Sequence, residues 1–267
     1  MLMTSAAKPL DLTKITKKLI SIIQNAGNIA QDFFLKKNFT IEKKKDLSPV
    51  TSADMTVHNF IVKEIKKISS FPIISEESFD NEVKDNFLQY WLIDPIDGTD
   101  NFINNRVEFC INISLIINKK PVIGIIENPM TKETFIASKG KGSFRLYKDE
   151  KVKLPNIKNK KLVRLKSHNL DAPFKNNKVQ DEIKSFHQIK MGSALKYCLL
   201  AEGTADIYIK QNNISTWDTA AGQCIVEESG GKIIDFQGDP LEYISSQSKN
   251  PSFLALSKEA LYLKKLL

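Results

Sequence analysis

The stretch Trp91-Leu92-Ile93-Asp94-Pro95-Ile96-Asp97-Gly98-Thr99 has the pattern of a buried strand that runs into a loop with two carboxylates three positions apart. Asp94 and Asp97 offer the oxygen ligands that hard metal ions prefer. Gly98 allows backbone angles that other residues rarely adopt, and Thr99 adds a hydroxyl beside the acids. The same pattern is typical of a solvated turn, so its meaning depends on the rest of the chain.

Three further acidic positions stand at the ends of apolar segments. Asp54 lies where the pattern of a second helix begins, and Glu76 follows a short predicted strand together with Glu77. Asp218 opens another predicted helix. Each acid alone is explained as a helix cap, a partner of the helix dipole or a solvated side chain. Together with the pair Asp94 and Asp97, these make four groups of acidic residues, here called the acidic stations. Side chains at the ends of elements can converge, so four such stations favour a shared metal site.

These motifs also carry a family resemblance. Three of them are similar to signatures of the inositol monophosphatase superfamily, whose members are lithium-sensitive, magnesium-dependent phosphatases. These three are Ile74-Ser75-Glu76-Glu77-Ser78, Asp94-Pro95-Ile96-Asp97-Gly98-Thr99 and Trp217-Asp218-Thr219-Ala220-Ala221-Gly222. Their order and spacing match from Asp54 to about Phe253. The resemblance implies an α/β and α+β chain in a layered αβαβα sandwich of the inositol monophosphatase and sugar phosphatase type.

The resemblance further implies the roles of individual residues. Two or three magnesium ions would be held by Glu76, Asp94, the backbone carbonyl of Ile96, Asp97 and Asp218. The residues expected to act in catalysis are Asp54, Thr99 and Glu76, with Asp54 and Thr99 orienting the attacking water. The substrate would contact Gly98, Thr99 and Asp218. Because a phosphate monoester is anionic, metal ions would both neutralise its charge and activate the water.

The segment from Gly192 to Gly203 points to one branch of this superfamily. It resembles the 3'(2'),5'-bisphosphate nucleotidases of CysQ type, in which a serine and a lysine three positions later bind the phosphate that is not cleaved. Ser193 and Lys196 are expected to share one helix face and grip that phosphate. The alternative is an exposed lysine on an amphipathic helix. The stretch Ser167-His168-Asn169 resembles the same branch, and His168 is expected to contact the nucleotide.

The expected activity is a magnesium-dependent phosphomonoesterase that removes the 3'-phosphate of adenosine 3',5'-bisphosphate and leaves AMP, a step that the resemblance links to sulfur metabolism. An inositol-1-phosphatase or a fructose-1,6-bisphosphatase of the same superfamily is the first alternative. A non-catalytic nucleotide- or RNA-binding module is the second, and the intact acids argue against it. Asp100-Asn101-Phe102 departs from both branches, and an acid at position 100 would repel a polyanion if it faced the site.

Composition is that of an ordinary globular protein that favours anionic ligands. The 267 residues are 42% hydrophobic and 26% charged, and the net charge of +8 suits a small phosphorylated substrate, which is expected to be a nucleotide. No nucleic-acid-binding module and no transmembrane segment is recognisable. Cys110, Cys198 and Cys224 lack metal-ligand spacing and predict a reducing, cytoplasmic location. The oligomeric state stays open between monomer and homodimer.

Hydrophobic periodicity divides the chain into two halves. Residues 1–150 predict an α+β half with most of the metal ligands: a long amphipathic helix from Leu12, a second helix, and a sheet that contains a β-hairpin around Asn118. Residues 151–267 predict an α/β half with the substrate-binding residues and the last metal ligand. Its helices are expected from Phe174, Ser193 and Asp218.

Overall fold

The first helix, α1, buries one side of a 25-residue span, because its apolar residues recur every three or four positions. Asp11 caps its start by accepting a hydrogen bond from the backbone N–H of Lys14. The computed structural model describes residues 11–44, 47–79, 86–157, 161–168, 176–211 and 214–267. In this part of the chain the helices are α1 (Leu12–Lys36), α2 (Ser52–Lys66), α3 (Thr99–Ile103), α4 (Asn177–Ile183), α5 (Leu195–Glu202) and α6 (Ala220–Glu228).

The strands form a hairpin and two larger sheets. The strands of the first half are β1 (Ile41–Lys43), β2 (Pro49–Thr51), β3 (Ile73–Ser75), β4 (Gln89–Asp97), β5 (Cys110–Ile117), β6 (Lys120–Asn128), β7 (Glu133–Ser138), β8 (Gly142–Tyr147) and β9 (Glu150–Lys153). The strands of the second half are β10 (Val163–Lys166), β11 (His187–Lys190), β12 (Ile207–Lys210), β13 (Lys232–Asp235) and β14 (Phe253–Leu256). Short 3₁₀ helices span Glu76–Ser78 and Leu261–Leu266.

The seven-stranded sheet follows chain order from β3 to β9. Strands β3 and β4 are parallel, and every later pair is antiparallel. The predicted hairpin around Asn118 is confirmed as β5 and β6. The five-stranded sheet has the order β11-β10-β12-β14-β13. The predicted division after residue 150 stays a prediction, and β9 of the first sheet crosses it.

The helices and sheets stack in five layers, and the buried residues between them form three separate groups. Helices α1 and α2 pack on one face of the seven-stranded sheet, and α5 and α6 pack between its other face and the five-stranded sheet. Helix α4 and the C-terminal 3₁₀ helix cover the outer face of the second sheet. This order is the predicted αβαβα sandwich.

The approach of α6 to the first sheet depends on Gly124 in β6. A Cβ atom at Gly124 would lie 2.3 Å from the backbone oxygen of Ala221 and 2.7 Å from Cβ of Cys224. Any side chain there would push α6 away from the sheet. The position of α6 sets the position of Asp218, just before its start, so this contact also places one acidic station.

Two expectations about local structure were wrong. Asp94 and Asp97 lie in β4 itself and not in a loop, because β4 continues to Asp97 with an irregular register against β5. Ser193 precedes α5, which begins at Leu195. The sheet of the second half also contains β14, which the predicted strand-helix alternation did not include and which runs antiparallel to β12 and β13. The predicted helix start at Phe174 lies outside the described residues, and α4 begins at Asn177.

The helix that was predicted from Asp218 is α6, which begins at Ala220, two residues after Asp218. Thr219 is the residue at its N-cap position. Among the described residues no helix is both long and apolar enough to cross a membrane.

A buried acid outside the metal-binding motifs predicts a pH-dependent stability. Glu127 of β6 is 1% exposed and accepts a hydrogen bond from the Thr134 hydroxyl at 2.6 Å. Burial raises its pKa from 4.5 to about 7, and the neighbouring charges are Lys132, which lowers the pKa, and Glu133, which raises it. The folded state therefore holds this proton at pH values where the unfolded chain has lost it.

Glu127 should make the protein lose roughly 1 to 3 kcal/mol of unfolding free energy as the pH rises from about 4.5 to about 7. Glu127→Gln keeps the acceptor for Thr134 without a charge, so it should stabilise the protein at pH 8 and flatten this slope. Urea denaturation in EDTA across this pH range measures the difference. Glu242→Gln, at a side chain that is 49% exposed, is the control. Equal slopes in the parent and in Glu127→Gln would contradict the prediction.

Candidate active site

An irregular register in β4 turns the carboxylates of Asp94 and Asp97 toward the same region. In a regular strand, residues three positions apart point to opposite faces of the sheet. Strand β4 shifts register between Asp94 and Asp97, and such bulges redirect side chains. Gly98 follows with φ of +91°, which reverses the chain into α3 and which other residues adopt only with strain.

Glu76, Asp94 and Asp218 form an acidic cluster, in which one carboxylate oxygen from each lies within 4.8 Å of the others. Parallel pairing of β3 with β4 brings Glu76 beside Asp94, because Ser75 pairs with Ile93. Asp218 arrives from the second half and is held by a hydrogen bond from the Ser215 N–H at 3.2 Å. The rings of Phe79 and Trp217, 5.4 Å apart, pack the two segments against each other.

The described residues around the cluster offer too few cations and hydrogen-bond donors to balance its acids. Asp94 is 1% exposed, and neither of its carboxylate oxygens has a hydrogen-bond partner among the described residues. Burial raises the pKa of Asp94, and the charges of Glu76 and Asp97 raise it further. Burial and the charge of Asp97 likewise raise the pKa of Asp218. Buried acids without partners are costly unless a cation joins them, so this donor set fits a hard divalent metal ion.

Asp97 lies beside this cluster and uses one oxygen for the protein. Its Oδ2 accepts hydrogen bonds from the Ala194 N–H, from Nδ2 of Asn112 at 3.2 Å and from the Cys110 thiol at 3.6 Å. Among the described residues no donor reaches Oδ1, which leaves that oxygen for a cation. Asn112 and Cys110 were not singled out as site residues, because within a strand they match the ordinary alternation of β5.

Asp54 and Thr99 also come together. Asp54 is fully buried, and its Oδ2 accepts hydrogen bonds from the N–H and the hydroxyl of Thr51, which makes a capping box at the start of α2. Its other oxygen, Oδ1, lies 3.3 Å from Oγ1 of Thr99, and that hydroxyl is 3.1 Å from the carbonyl oxygen of Ile96. A carbonyl has a second lone pair, so the Ile96 oxygen can still meet a cation.

A lysine that the sequence reasoning did not single out already contacts Glu76. Nζ of Lys44 lies 2.6 Å from Oε1 of Glu76 and 3.0 Å from Oε1 of Glu77. Burial raises the pKa of Glu77 to about 7, and the charge of Glu76 raises it while Lys44 lowers it. A metal ion on Glu76 would compete with this ammonium. A lysine within a run of lysines is typical of a solvated surface, so no local signal marked it.

Ser193 and Lys196 lie next to the acids, although not on one helix face. Ser193 has φ of +50° in the turn before α5, and Lys196 sits in the first turn of α5. Lys196 is 6% exposed, so the alternative of a surface lysine was wrong. Its Nζ donates to the carbonyl oxygens of Ser193 at 2.8 Å and Met191 at 3.3 Å, and it lies 5.0 Å from the ring centre of Tyr208.

Ser193 and Lys196 line a pocket that opens beside the acids. The other residues that line it are Asp97, Ser167, Ala194, Tyr197, Tyr208, Lys210, Ile214 and Asp218. Two ammonium groups and several hydroxyls therefore face the same space as two of the metal-binding candidates. This arrangement can bind an anionic group next to a metal site.

His168 follows Ser167 of the pocket and Asp100 follows Thr99, and these two exposed positions are taken as the rim of the site. His168 is about one-third exposed, and its Nε2 is hydrogen-bonded to Oε2 of Glu108. Asn169, which also carried the resemblance, lies outside the described residues. Asp100 is exposed in the first turn of α3.

Comparison with known proteins finds relatives over most of the chain. The model of the inositol monophosphatase family matches residues 11–264. The chain is 34% identical over 244 residues to the 3'(2'),5'-bisphosphate nucleotidase CysQ of Shigella flexneri, covering 88% of this chain and 97% of that protein. It is 35% identical over 246 residues to the protein of that name from Buchnera aphidicola, covering 90% and 91%.

The fold is also similar to a solved structure. The crystal structure of CysQ from Bacteroides thetaiotaomicron, a bacterial member of the inositol monophosphatase family, superposes with a TM-score of 0.81 at 29% identity. The match covers 93% of this chain and 98% of that one. The chain therefore belongs to the inositol monophosphatase family of metal-dependent phosphatases.

Proposed function

We propose that this enzyme is a 3'(2'),5'-bisphosphate nucleotidase that hydrolyses the 3'-phosphate of adenosine 3',5'-bisphosphate and releases AMP and phosphate. The observation that carries the proposal is the buried Lys196 in the pocket beside Asp97 and Asp218. Burial lowers the pKa of this lysine, opposed by the charge of Asp97, so keeping an ammonium there is costly. A second phosphate, which is not cleaved, would meet Lys196, Lys210 and Ser193.

The acids are proposed to hold magnesium. Glu76, Asp94, the Ile96 carbonyl, Asp97 and Asp218 would hold Mg²⁺, and the two oxygens of Asp94 without partners fit that role. When bound, Mg²⁺ would neutralise the phosphate charge and lower the barrier to attack by water. Lithium sensitivity and a cytoplasmic location stay predictions.

The remaining polar groups are proposed to orient the reactants. Asp54 holds the Thr99 hydroxyl through Oδ1, and this pair would direct water toward the scissile phosphorus atom. A Cβ atom at Gly98 would lie 3.0 Å from the Glu108 carbonyl oxygen and 3.4 Å from Cβ of Ser193, so glycine lets these segments pack closely beside the pair, and the Gly98 backbone would contact the phosphate. His168, at the rim, would contact the nucleoside. Such positioning acts by keeping water, phosphate and acids in one reactive geometry.

The proposal is tested by phosphate release from adenosine 3',5'-bisphosphate, inositol 1-phosphate and fructose 1,6-bisphosphate, each with Mg²⁺ and with EDTA. We expect kcat/KM for the nucleotide to exceed that for the other two by at least about 100-fold, because only the nucleotide fills both the phosphate pocket and the rim. Turnover should stop in EDTA and return when Mg²⁺ is restored.

Two outcomes would contradict the proposal in different ways. A preference for inositol 1-phosphate or fructose 1,6-bisphosphate would keep the phosphatase chemistry and reject the nucleotide. Metal-independent binding of nucleotide without phosphate release would favour the non-catalytic alternative.

A further inference from the structure

Glu108 connects the two halves of the molecule at the rim of the site. It lies in the segment between α3 and β5, in the metal-bearing half. Its Oε2 accepts a hydrogen bond from the Gly192 N–H at 2.7 Å and is also bonded to Nε2 of His168. His168 follows β10 and Gly192 follows β11, so one carboxylate oxygen holds two separate loops of the second half.

The backbone of Glu108 is fixed as well. Its carbonyl oxygen accepts a hydrogen bond from Nδ2 of Asn101 at 2.9 Å, and Asn101 belongs to α3, which begins at Thr99 directly after Gly98. Glu108 is therefore hydrogen-bonded to α3, the helix that follows Asp94 and Asp97. Its side chain is 27% exposed, which keeps it at the mouth of the site instead of in the core.

The loop held by Glu108 also contacts the acidic residues. Gly192 precedes Ser193 and Ala194, and the Ala194 N–H donates to Oδ2 of Asp97. The turn 192–194 is therefore held at one end by Glu108 and at the other by Asp97. Ser193, between these two anchors, faces the pocket of Lys196.

We propose that Glu108 is a positioning residue that sets the affinity for the part of the substrate beyond the scissile phosphate. It would act through His168 and through the turn that carries Ser193, and not by touching the reacting atoms. The proposal rests on the proposed function, because it takes the nucleoside as the group that His168 meets. Charge-assisted hydrogen bonds of this kind restrain side chains strongly.

The test measures binding of AMP and of inorganic phosphate to the Mg²⁺-loaded protein by calorimetry, for the parent, Glu108→Ala, His168→Ala and the double variant. We expect Glu108→Ala to raise the Kd for AMP about tenfold and to leave the Kd for inorganic phosphate unchanged. Because Glu108 acts in part through His168, the double variant should lose less affinity for AMP than the product of the two single losses, which is what independent residues would give. Glu108→Gln, which retains an acceptor for Gly192, should give a smaller loss.

Controls separate this role from a purely structural one. Glu42→Ala, at an exposed acid of β1, should change neither Kd. Equal weakening of AMP and phosphate in Glu108→Ala, together with a lower melting temperature, would overturn the proposal in favour of a general scaffold role. An unchanged Kd for AMP would overturn it as well. A parent that does not bind AMP would instead reject the proposed nucleotide substrate, and this role for Glu108 with it.

Discussion

Asp94→Asn should lower kcat by at least about 1,000-fold and abolish the stabilisation by Mg²⁺, because it removes the most buried ligand charge of the proposed metal site. The same substitution should stabilise the metal-free protein. In EDTA, Asp94 is a buried acid whose pKa is raised by burial and by the charges of Glu76, Asp97 and Asp218, so the metal-free fold must either bury its charge or take up a proton. An amide carries no charge and can donate hydrogen bonds to these acids, so about 1 to 3 kcal/mol of unfolding free energy should be gained.

Thermal unfolding with EDTA and with saturating Mg²⁺ measures both effects. The parent should gain about 2.7 kcal/mol when Mg²⁺ reaches about 100 times its Kd, and Asp94→Asn should gain nothing. Glu127→Gln is the matched control, because it neutralises a buried acid elsewhere and should keep turnover and the Mg²⁺ response. Metal-dependent turnover or a preserved Mg²⁺ shift in Asp94→Asn would contradict the proposed ligand set.

Lys196→Met should reduce kcat/KM for adenosine 3',5'-bisphosphate by about 100-fold, because a buried charge-assisted contact with the uncleaved phosphate is lost. Methionine keeps the length of the side chain and fits the buried position beside Tyr208. A phosphomonoester without a second phosphate, such as phenyl phosphate, should lose less than about threefold, because it leaves this pocket empty. Steady-state phosphate release from the two substrates gives the comparison.

Lys178→Met, at an exposed position on α4, is the matched control and should affect neither substrate. The melting temperature of Lys196→Met should stay near that of the parent, which separates lost recognition from lost structure. Equal losses on both substrates would show that Lys196 supports the acidic cluster through Asp97 instead of a second phosphate.

Much of the fold was predictable because its signals are local. The spacing of apolar residues in α1 and the alternation in β5 and β6 each specify an element without reference to the remaining chain. The layered sandwich came from the resemblance of the acidic motifs to a known superfamily. The segment 253–256 was missed, because its four residues are all apolar and show no period.

The acidic stations could be located from the sequence, since each stands at the end of an element. The residues around these acids could not be predicted, because they come from distant parts of the chain. Ala194 reaches Asp97, and Lys44 reaches Glu76, only when the layers pack. Predicting Ser193 and Lys196 on one helix face was wrong for the same reason: the start of α5 depends on the turn that Asp97 and Glu108 hold.

The sequence by itself determined the family, the order of most elements and the acidic residues that the fold brings together. Tertiary structure alone decided that Oδ2 of Asp97 accepts hydrogen bonds from other elements, that Lys196 is buried, and that Glu108 contacts two segments of the other half. The physical reason is that periodicity and capping act within a few residues of the chain. Burial and hydrogen bonding between two sheets depend on contacts between residues many positions apart.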